Sequence, residues 1–582
     1  MSRLIATKLE LYLQRFTVMA HDQLIQRIRE SVIGSYLPLQ TPFGQKPLVY
    51  ADYTASGRAL RFVEAQLQRT VLPFYANTHS ESSLTGAQST ALREQARQIV
   101  AEALGCNKQD RVIFCGSGAT AAIDRLIQIL NLRLPRELDE RYGLSKQIPA
   151  AERPVIFIGP YEHHSNELPW RETIADVVPI PLNEKGGIDQ GALSIALEQY
   201  ADRPLRIGSF SAASNVTGIR SDVTGITRLL KQAGALAFWD FAAAGPYVSI
   251  AMNTPGAEID AVFLSPHKFI GGPGTPGILA IKAALADNAV PAVVGGGTVG
   301  FVSPQSHRYL ADIERREEAG TPAIVESVRA GLVIGLQQAV GVSNIEALEQ
   351  GYVHRAMERL SAHPNIDVLG PKDAERLAIF SLRMTHQNRE LHYGFVVALL
   401  NDLFGIQARG GCSCAGPYGH RLLNLSDDQS KALDQQIVNG HVALRPGWVR
   451  LSFNYFIGDA EFDYLLSALE LVAEHGHRLL ASYCLDPQSG LWRHREGIRV
   501  LPVKLDPANT DDVATAVQPA MPDFAALLRE AQDVLQAGAD AQQLADAALE
   551  CTQHRSDDLR WFLTSQDLAN DKAPRVSGQA VT

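Results

Sequence analysis

A short apolar run, Ala261-Val-Phe-Leu, leads into Ser265-Pro266-His267-Lys268 and then into Phe-Ile-Gly-Gly-Pro-Gly. A lysine at a dry, glycine-lined strand end has its ammonium pKa lowered by desolvation, and its amine can form a Schiff base with an aldehyde cofactor. Twenty-eight residues earlier, Ala235-Leu-Ala-Phe-Trp ends in Asp240. A carboxylate there can keep a pyridinium nitrogen protonated, as an electron sink such as pyridoxal phosphate requires. Taken singly, each is an ordinary surface lysine or strand-end aspartate. A third segment, Phe114-Cys-Gly-Ser-Gly-Ala119-Thr120-Ala-Ala-Ile, passes from a strand to a helix through small residues. Its free backbone N–H groups and the Thr120 hydroxyl make a phosphate cradle at a helix N-terminus. It is no Walker loop, because no Gly-Lys-Ser/Thr follows.

The elements that must position these groups alternate. Strands are expected at Arg111–Cys115, Val155–Gly159, Val177–Ile180, Arg206–Phe210, Ala235–Asp240, Ala261–Leu264 and Gly277–Ile281. Helices are expected among them at Thr90–Leu104, Ala119–Leu132 and Asp222–Ala233. This alternation predicts crossover connections and a mostly parallel sheet covered on both faces. Before it, Leu9, Tyr12, Leu13, Phe16, Leu24, Ile25 and Ile28 have helical spacing, and Leu37–Tyr50 reads as a hairpin. After it come a long helix from Ala323 to Val340, a second α+β region closing on strand Trp448–Phe453 and helix Ala460–His475, and a tail. The tail contains a strand candidate at Leu501-Pro-Val-Lys and helices near 521–536 and 539–551.

Together these motifs resemble the class V, fold-type I pyridoxal-phosphate enzymes, and within them the Suf-type cysteine desulfurase/selenocysteine lyase branch. The resemblance covers about residues 48–475. It implies an α/β fold: residues 1–48 as a helical segment and hairpin, 49–335 as the cofactor-binding large domain, 336–475 as a small α+β domain, and 476–582 as a C-terminal extension. The cofactor implied is pyridoxal 5'-phosphate, with Lys268 as its Schiff-base lysine and Asp240 as the partner of its ring nitrogen. Tyr161-Glu-His163-His-Ser-Asn places His163 stacked on the ring, and Ser214-Asn215-Val-Thr-Gly places Asn215 beside the phenolic oxygen. Thr120, Ser265 and His267 fall on phosphate-binding positions, and Ala119 belongs to the same cofactor-binding turn. Glu318-Ala-Gly-Thr321-Pro resembles the loop that reaches a neighbouring subunit's phosphate site, so Thr321 implies a homodimer.

Other segments concern the substrate. Val449-Arg450-Leu-Ser-Phe-Asn-Tyr resembles the strand whose arginine grips an amino acid's α-carboxylate, a task for a bidentate guanidinium. Gln407-Ala-Arg409-Gly-Gly-Cys412-Ser-Cys414-Ala-Gly-Pro resembles the desulfurase cysteine loop, which aligns Arg409 with a substrate-binding arginine and Cys414 with the nucleophile. Three other readings stay open for this Cys-x-Cys pair: a redox couple, part of a metal site with His420, or a plain surface loop. The metal reading lacks a fourth ligand. Gly295-Gly-Gly-Thr-Val-Gly matches a dinucleotide fingerprint in letters only, since no helix follows, and is expected to be a loop bordering the active site. Two departures stand out. Ala243 occupies the place where the family commonly has a glutamine, and the stretch containing Leu422–Ala443 is longer than the branch's norm.

Composition agrees with a cytoplasmic enzyme. With 53 Lys+Arg against 63 Asp+Glu, the net charge of −10 argues against nucleic acid or an anionic membrane as main partner. Charges interrupt the N-terminal apolar runs, and no stretch has the length of a membrane span. Six scattered cysteines suit a reducing compartment, with Cys412 and Cys414 the functional pair and the rest structural. The expected reaction takes sulfur from L-cysteine, with His163 assisting proton transfer, and leaves alanine and a persulfide on Cys414 for a thiol or an acceptor protein. The alternatives are a C–S lyase giving pyruvate, ammonia and sulfide, a class V aminotransferase or epimerase, and a non-catalytic scaffold.

Overall fold

Val155–Ile158 and Ala261–Leu264 are uncharged and buried along their whole length. Such strands have no solvent face and must lie inside a sheet covered on both sides. The structure, a computed structural model, describes residues 21–78, 80–497, 519–540, 543–544 and 559–571. Its main sheet has seven strands in the order Asp110–Cys115, Gly277–Lys282, Ala261–Leu264, Leu236–Asp240, Arg206–Ser211, Val155–Ile158, Asp176–Pro179. Gly277–Lys282 runs antiparallel to both neighbours, and the other neighbouring pairs are parallel. Alternate residues face two cores. Ile113 and Cys115 join Ile123, Leu126 and Trp170 on one face, whereas Val112 and Phe114 join Ala96, Val100 and Val328 on the other.

The seven strands expected for this sheet are present within a residue or two of their expected ends. Helix boundaries differ more. The helix expected from Thr90 starts at Leu84, where Ser83 Oγ caps it by accepting from the Gly86 backbone N–H at 3.2 Å. The Leu-Thr-Gly start resembles a turn, yet Gly86 is required there, because a Cβ would sit 2.1 Å from the Ser80 carbonyl oxygen.

A second, antiparallel sheet orders Ile366–Val368, Ile379–His386, Trp448–Ser452 and Arg409–Gly411, with Arg389–Leu391 also on Ile379–His386. Its register sets Arg409 opposite Arg450. The predicted N-terminal hairpin forms from Pro38–Thr41 and Gly44–Pro47, and Val49–Tyr50 then pairs in parallel with Ile406–Gln407 at the entry to the cysteine loop. The long stretch after that loop is helical at Gly416–Leu422 and Asp427–Val438.

Beyond His475, a hairpin of Tyr483–Asp486 and Leu491–His494 and a helix, Phe524–Ala537, pack back on the chain. Phe524 stacks on Tyr464 with ring centroids 4.4 Å apart. Farther on, the Trp561 indole donates to the Leu444 carbonyl at 3.0 Å, and Phe562 meets the buried His392 ring edge-on. The predicted helical residues Leu9, Tyr12, Leu13 and Phe16, the Leu501-Pro-Val-Lys strand, most of the helix near 539–551 and Cys551 lie outside the described residues.

The loop carrying Thr321 is anchored by charge. Glu318 is buried and paired with Arg93 and Arg97, the latter at 2.9 Å, and it also accepts from the Phe114 backbone N–H at 2.7 Å. Burial alone would raise the Glu318 pKa, but the two guanidiniums outweigh it and hold the carboxyl below its ordinary value. Removing one partner from a buried ion cluster strands the others. Glu318→Ala is therefore expected to cost about 3–5 kcal/mol of stability, read as a lower urea midpoint. An unchanged midpoint would show that the cluster is solvated.

Candidate active site

At one end of the main sheet, the strand tips and the cysteine loop enclose a cavity of about 210 Å³. Its floor is the predicted phosphate cradle. Gly118 takes a left-handed φ of +58° and approaches so closely that a Cβ there would meet Ser265 Oγ at 2.8 Å. Ala119 N–H donates to that same Oγ at 2.9 Å. Ser117 makes no side-chain cap at this helix, so the positive end of the dipole is left open toward the cavity. The Thr120 and Ser165 hydroxyls are 2.6 Å apart, and His267 lines the same wall.

Lys268 and Asp240 come from the ends of adjacent parallel strands, paired in register as Phe263 with Asp240. The Ala242 backbone N–H donates to Asp240 Oδ1 at 2.7 Å and orients the carboxylate. Burial raises the Asp240 pKa. Burial pushes the Lys268 ammonium down to about 8, with Asp240 partly opposing the shift. His163 is pulled down to about 3, first by burial and then by Lys268, so its imidazole is neutral near pH 7. The Ser165 backbone N–H donates to His163 Nδ1 at 3.1 Å, which assigns the ring proton to Nε2.

Two contributors escape a reading of the sequence. Glu162, fully enclosed, accepts from Gly159 N–H at 3.1 Å, Ser211 N–H at 2.9 Å, and the Ser211 hydroxyl and Asn166 amide, each at 2.6 Å. It locks the turn that presents His163, and burial pushes its carboxyl up to about 7. Its only sequence signal is its place beside the two histidines. Asp52 accepts from Arg450 Nη2 at 2.9 Å, and Arg450 Nη1 donates to the Asn215 carbonyl at 3.1 Å. A lone carboxylate just after Val49–Tyr50 was the available hint.

The cysteine loop is strained and pinned. Ser413 and Cys414 both take left-handed φ values, 53° and 56°. Such conformations cost a non-glycine residue about 1–3 kcal/mol and persist only where neighbours impose them. Here Asn215 Nδ2 donates to the Ser413 carbonyl at 2.7 Å, Trp448 Nε1 to Ser413 Oγ at 3.2 Å, and His164 N–H to the Cys414 carbonyl at 2.9 Å. His164 Nε2 also accepts from Gly416 N–H at 3.0 Å, which gives the second histidine a structural task. Cys414 and Arg409 line the cavity, whereas Cys412 lines only a neighbouring groove.

Other predicted residues lie elsewhere. Thr321 does not line this chain's cavity, and its hydroxyl accepts from Asn77 Nδ2 at 3.3 Å. The Gly295–Thr298 turn is likewise absent from the cavity wall; it leads into a hairpin of Val299–Val302 and His307–Tyr309 and accepts a hydrogen bond from Gly320 at the Gly296 carbonyl. His420 is hydrogen-bonded to Ser430 at 2.9 Å, and among the described residues no three His, Cys, Asp or Glu side chains gather as a metal site. Ala243 lines the cavity with a methyl group and offers no polar contact.

The donor set fits pyridoxal 5'-phosphate. A Cβ-free cradle faces the phosphate end, and a buried carboxylate lies next to a lysine of lowered pKa. Two buried polar atoms, Asn215 Oδ1 and Arg450 Nε, have no protein partner and remain for a ligand.

Comparison with known proteins places the chain among similar sequences and folds. A "Probable cysteine desulfurase" of Streptomyces coelicolor is 28% identical over 430 residues, 73% of this chain and 92% of that protein. A "Cysteine desulfurase" of Pectobacterium atrosepticum is 26% identical over 460 residues, 78% of this chain and 99% of its own. Among solved structures, the cysteine desulfurase of Thermococcus onnurineus superposes with a TM-score of 0.59 at 22% identity, covering 73% of this chain and 95% of that one. The cysteine desulfurase CsdA of Escherichia coli does so with 0.56 at 22% identity, covering 75% and 97%. These likenesses place the fold. The family model for Aminotransferase class-V matches residues 49–465, and the chain belongs to that family.

Proposed function

We propose that this protein is a pyridoxal-phosphate-dependent cysteine desulfurase that converts L-cysteine to alanine and retains the sulfur as a persulfide on Cys414. The observation that carries this reading is the place of Cys414, in the wall of a cavity lined also by Lys268, Asp240, His163 and Arg450. The names of the relatives support the same activity. When bound, the cofactor supplies a protonated pyridine ring able to take up the electron pair of the substrate's Cα–H bond. Lys268 and Asp240 would hold that group at its aldehyde carbon and ring nitrogen, with Ser265, His267, Thr120 and the Ala119 turn around its phosphate and His163 against the ring.

The chain's own groups do the rest. Arg450 is buried, held by Asp52 and the Asn215 carbonyl, and keeps Nε unpartnered for the substrate carboxylate. Arg409, opposite it in register, adds a second cation at the mouth of the cavity. Lys268, brought down to about 8, has a neutral fraction able to accept the Cα proton. Neutral His163 keeps its proton at Nε2, where it can hydrogen-bond a reacting group. The Cys414 thiolate attacks the substrate sulfur: the substrate C–S bond breaks, an S–S bond forms, and Cys414 thiol plus cysteine become Cys414 persulfide plus alanine.

A homodimer is part of the proposal. Thr321 does not line its own chain's cavity, and Val293, Val294, Phe301 and Val302 are exposed on the adjacent glycine turn and hairpin. Among the described residues Cys106, Cys115, Cys412 and Cys414 are free thiols, in keeping with a reducing cytoplasm as the place of action.

Three results are expected. With L-cysteine and dithiothreitol, Cys414→Ala lowers alanine formation at least about a hundredfold while Cys412→Ala retains it; pyruvate that survives Cys414→Ala would establish the lyase reaction instead. Arg450→Lys, which loses the fork, lowers kcat/KM for cysteine about 10–100-fold, mainly through KM. The third concerns pH. Only the neutral Lys268 amine reacts with an aldehyde, so the rate at which cofactor-free protein captures pyridoxal phosphate climbs as pH rises toward about 8 and levels off above it. Asp240→Asn removes a charge that favours the ammonium, so its midpoint lies lower; a profile that still rises at pH 10 would refute a depressed lysine.

A further inference from the structure

A groove of about 1040 Å³ adjoins the cofactor cavity across the cysteine loop. Arg409, Ser413 and Cys414 line both spaces, so Cys414 belongs to their common wall. One side of the groove is Arg409–Gly411, the edge strand of the small sheet, followed by Cys412. The opposite side is supplied by Cys484, in strand Tyr483–Asp486, and by the turn and strand from Ser489 to Arg495. That hairpin lies past residue 465, where the class-V match ends.

Its charge is opposite to that of the chain. The protein carries a net −10, yet among the described residues four arginines, Arg409, Arg445, Arg493 and Arg495, line this groove against one carboxylate, Asp402. Asp402 is already engaged by the Tyr483 hydroxyl at 2.8 Å. Arg409, Arg445 and Arg493 are exposed. The hairpin is firmly held: Trp492 is buried against Phe395 and His392, and Arg495 Nε donates to the Ala481 carbonyl at 2.7 Å. Arg493 and Arg495 therefore stand on a fixed wall.

We propose that this hairpin completes a docking groove for an extended, acidic, cysteine-bearing segment of a sulfur-accepting protein. The proposal rests on the desulfurase reading. An edge strand can take an added extended segment by main-chain hydrogen bonds, and the arginines select carboxylates and steer their approach. Transfer is a thiol–disulfide-type exchange without net redox change. The acceptor thiolate attacks the outer sulfur of the Cys414 persulfide, a new S–S bond forms to the acceptor, the old S–S bond breaks, and Cys414 leaves as thiolate.

The test uses the full-length, cofactor-loaded enzyme and two fluorescent ten-residue peptides with a single central cysteine, one rich in aspartate and glutamate, the other in lysine. Binding is read by anisotropy, and sulfur transfer by alanine release and peptide persulfide mass. The acidic peptide is expected to bind at least about tenfold more tightly at low salt and to speed alanine release. The Arg445→Glu/Arg493→Glu variant should reverse that preference, and Arg445→Gln/Arg493→Gln should abolish it, while both keep dithiothreitol-supported alanine formation and wild-type circular dichroism. Equal binding of the two peptides, indifference to the substitutions, or equal acceleration and full competition by mercaptosuccinate would overturn the docking proposal. Absence of alanine from wild type with dithiothreitol would instead sink the desulfurase reading, and the anisotropy arm would still report on the groove.

Discussion

Much of this structure depends on placing an amine and a carboxylate side by side where water is scarce. Lys268 and Asp240 can be neighbours because two parallel strands end together, their register set by cross-strand hydrogen bonds. Parallel strands need helical crossovers on both faces, and those helices bury the sheet that desolvates the pair. The same crossovers deliver the open N-terminus of the helix beginning at Gly118 to the other end of the cavity. One electrostatic requirement thus selects an architecture: a buried sheet with its polar strand ends gathered at one rim.

The cysteine loop answers a second requirement, reach. It springs from an antiparallel sheet whose register opposes Arg409 to Arg450, so the two guanidiniums and the thiol-bearing loop are set by the same backbone ladder. Left-handed conformations at Ser413 and Cys414 turn the chain back toward the cavity, held by Asn215, Trp448 and His164 from three separate elements. Asn215 is central here. It accepts from Arg450 at its carbonyl and donates to the loop from its amide, which couples Arg450 to the position of the cysteine.

Local motifs made a large part of this legible. Lys268, Asp240, His163, Ser265 and Cys414 were all recognisable because each lies at a strand end or in a glycine-bounded turn, where the function of a side chain is written into its immediate neighbours. Asp52 and Glu162 were not. Asp52 acts on a partner nearly four hundred residues away, and Glu162 acts through four donors on three residues, two of the donors on Ser211 in a separate strand. The start of the helix at Leu84 was hidden for a different reason: Gly86 is kept by its close approach to the Ser80 carbonyl, a tertiary constraint that resembles a helix breaker in sequence.

The sequence by itself determined the alternation of strand and helix, the chemistry of the lysine, aspartate and cysteine, and the family they resemble. These are properties of short segments, governed by periodicity, burial and turn chemistry over a few residues. Tertiary structure supplied the physical reason why Cys414, the cysteine the resemblance singles out, lines the cofactor cavity and Cys412 does not. Cys412 and Cys414 are two residues apart and chemically alike, and only the left-handed turn between them, imposed by distant hydrogen bonds, sends Cys414 to the wall shared by both spaces while Cys412 lines the groove. It also decided the place of the chain after residue 475, whose hairpin brings arginines to that groove through packing that no local pattern encodes.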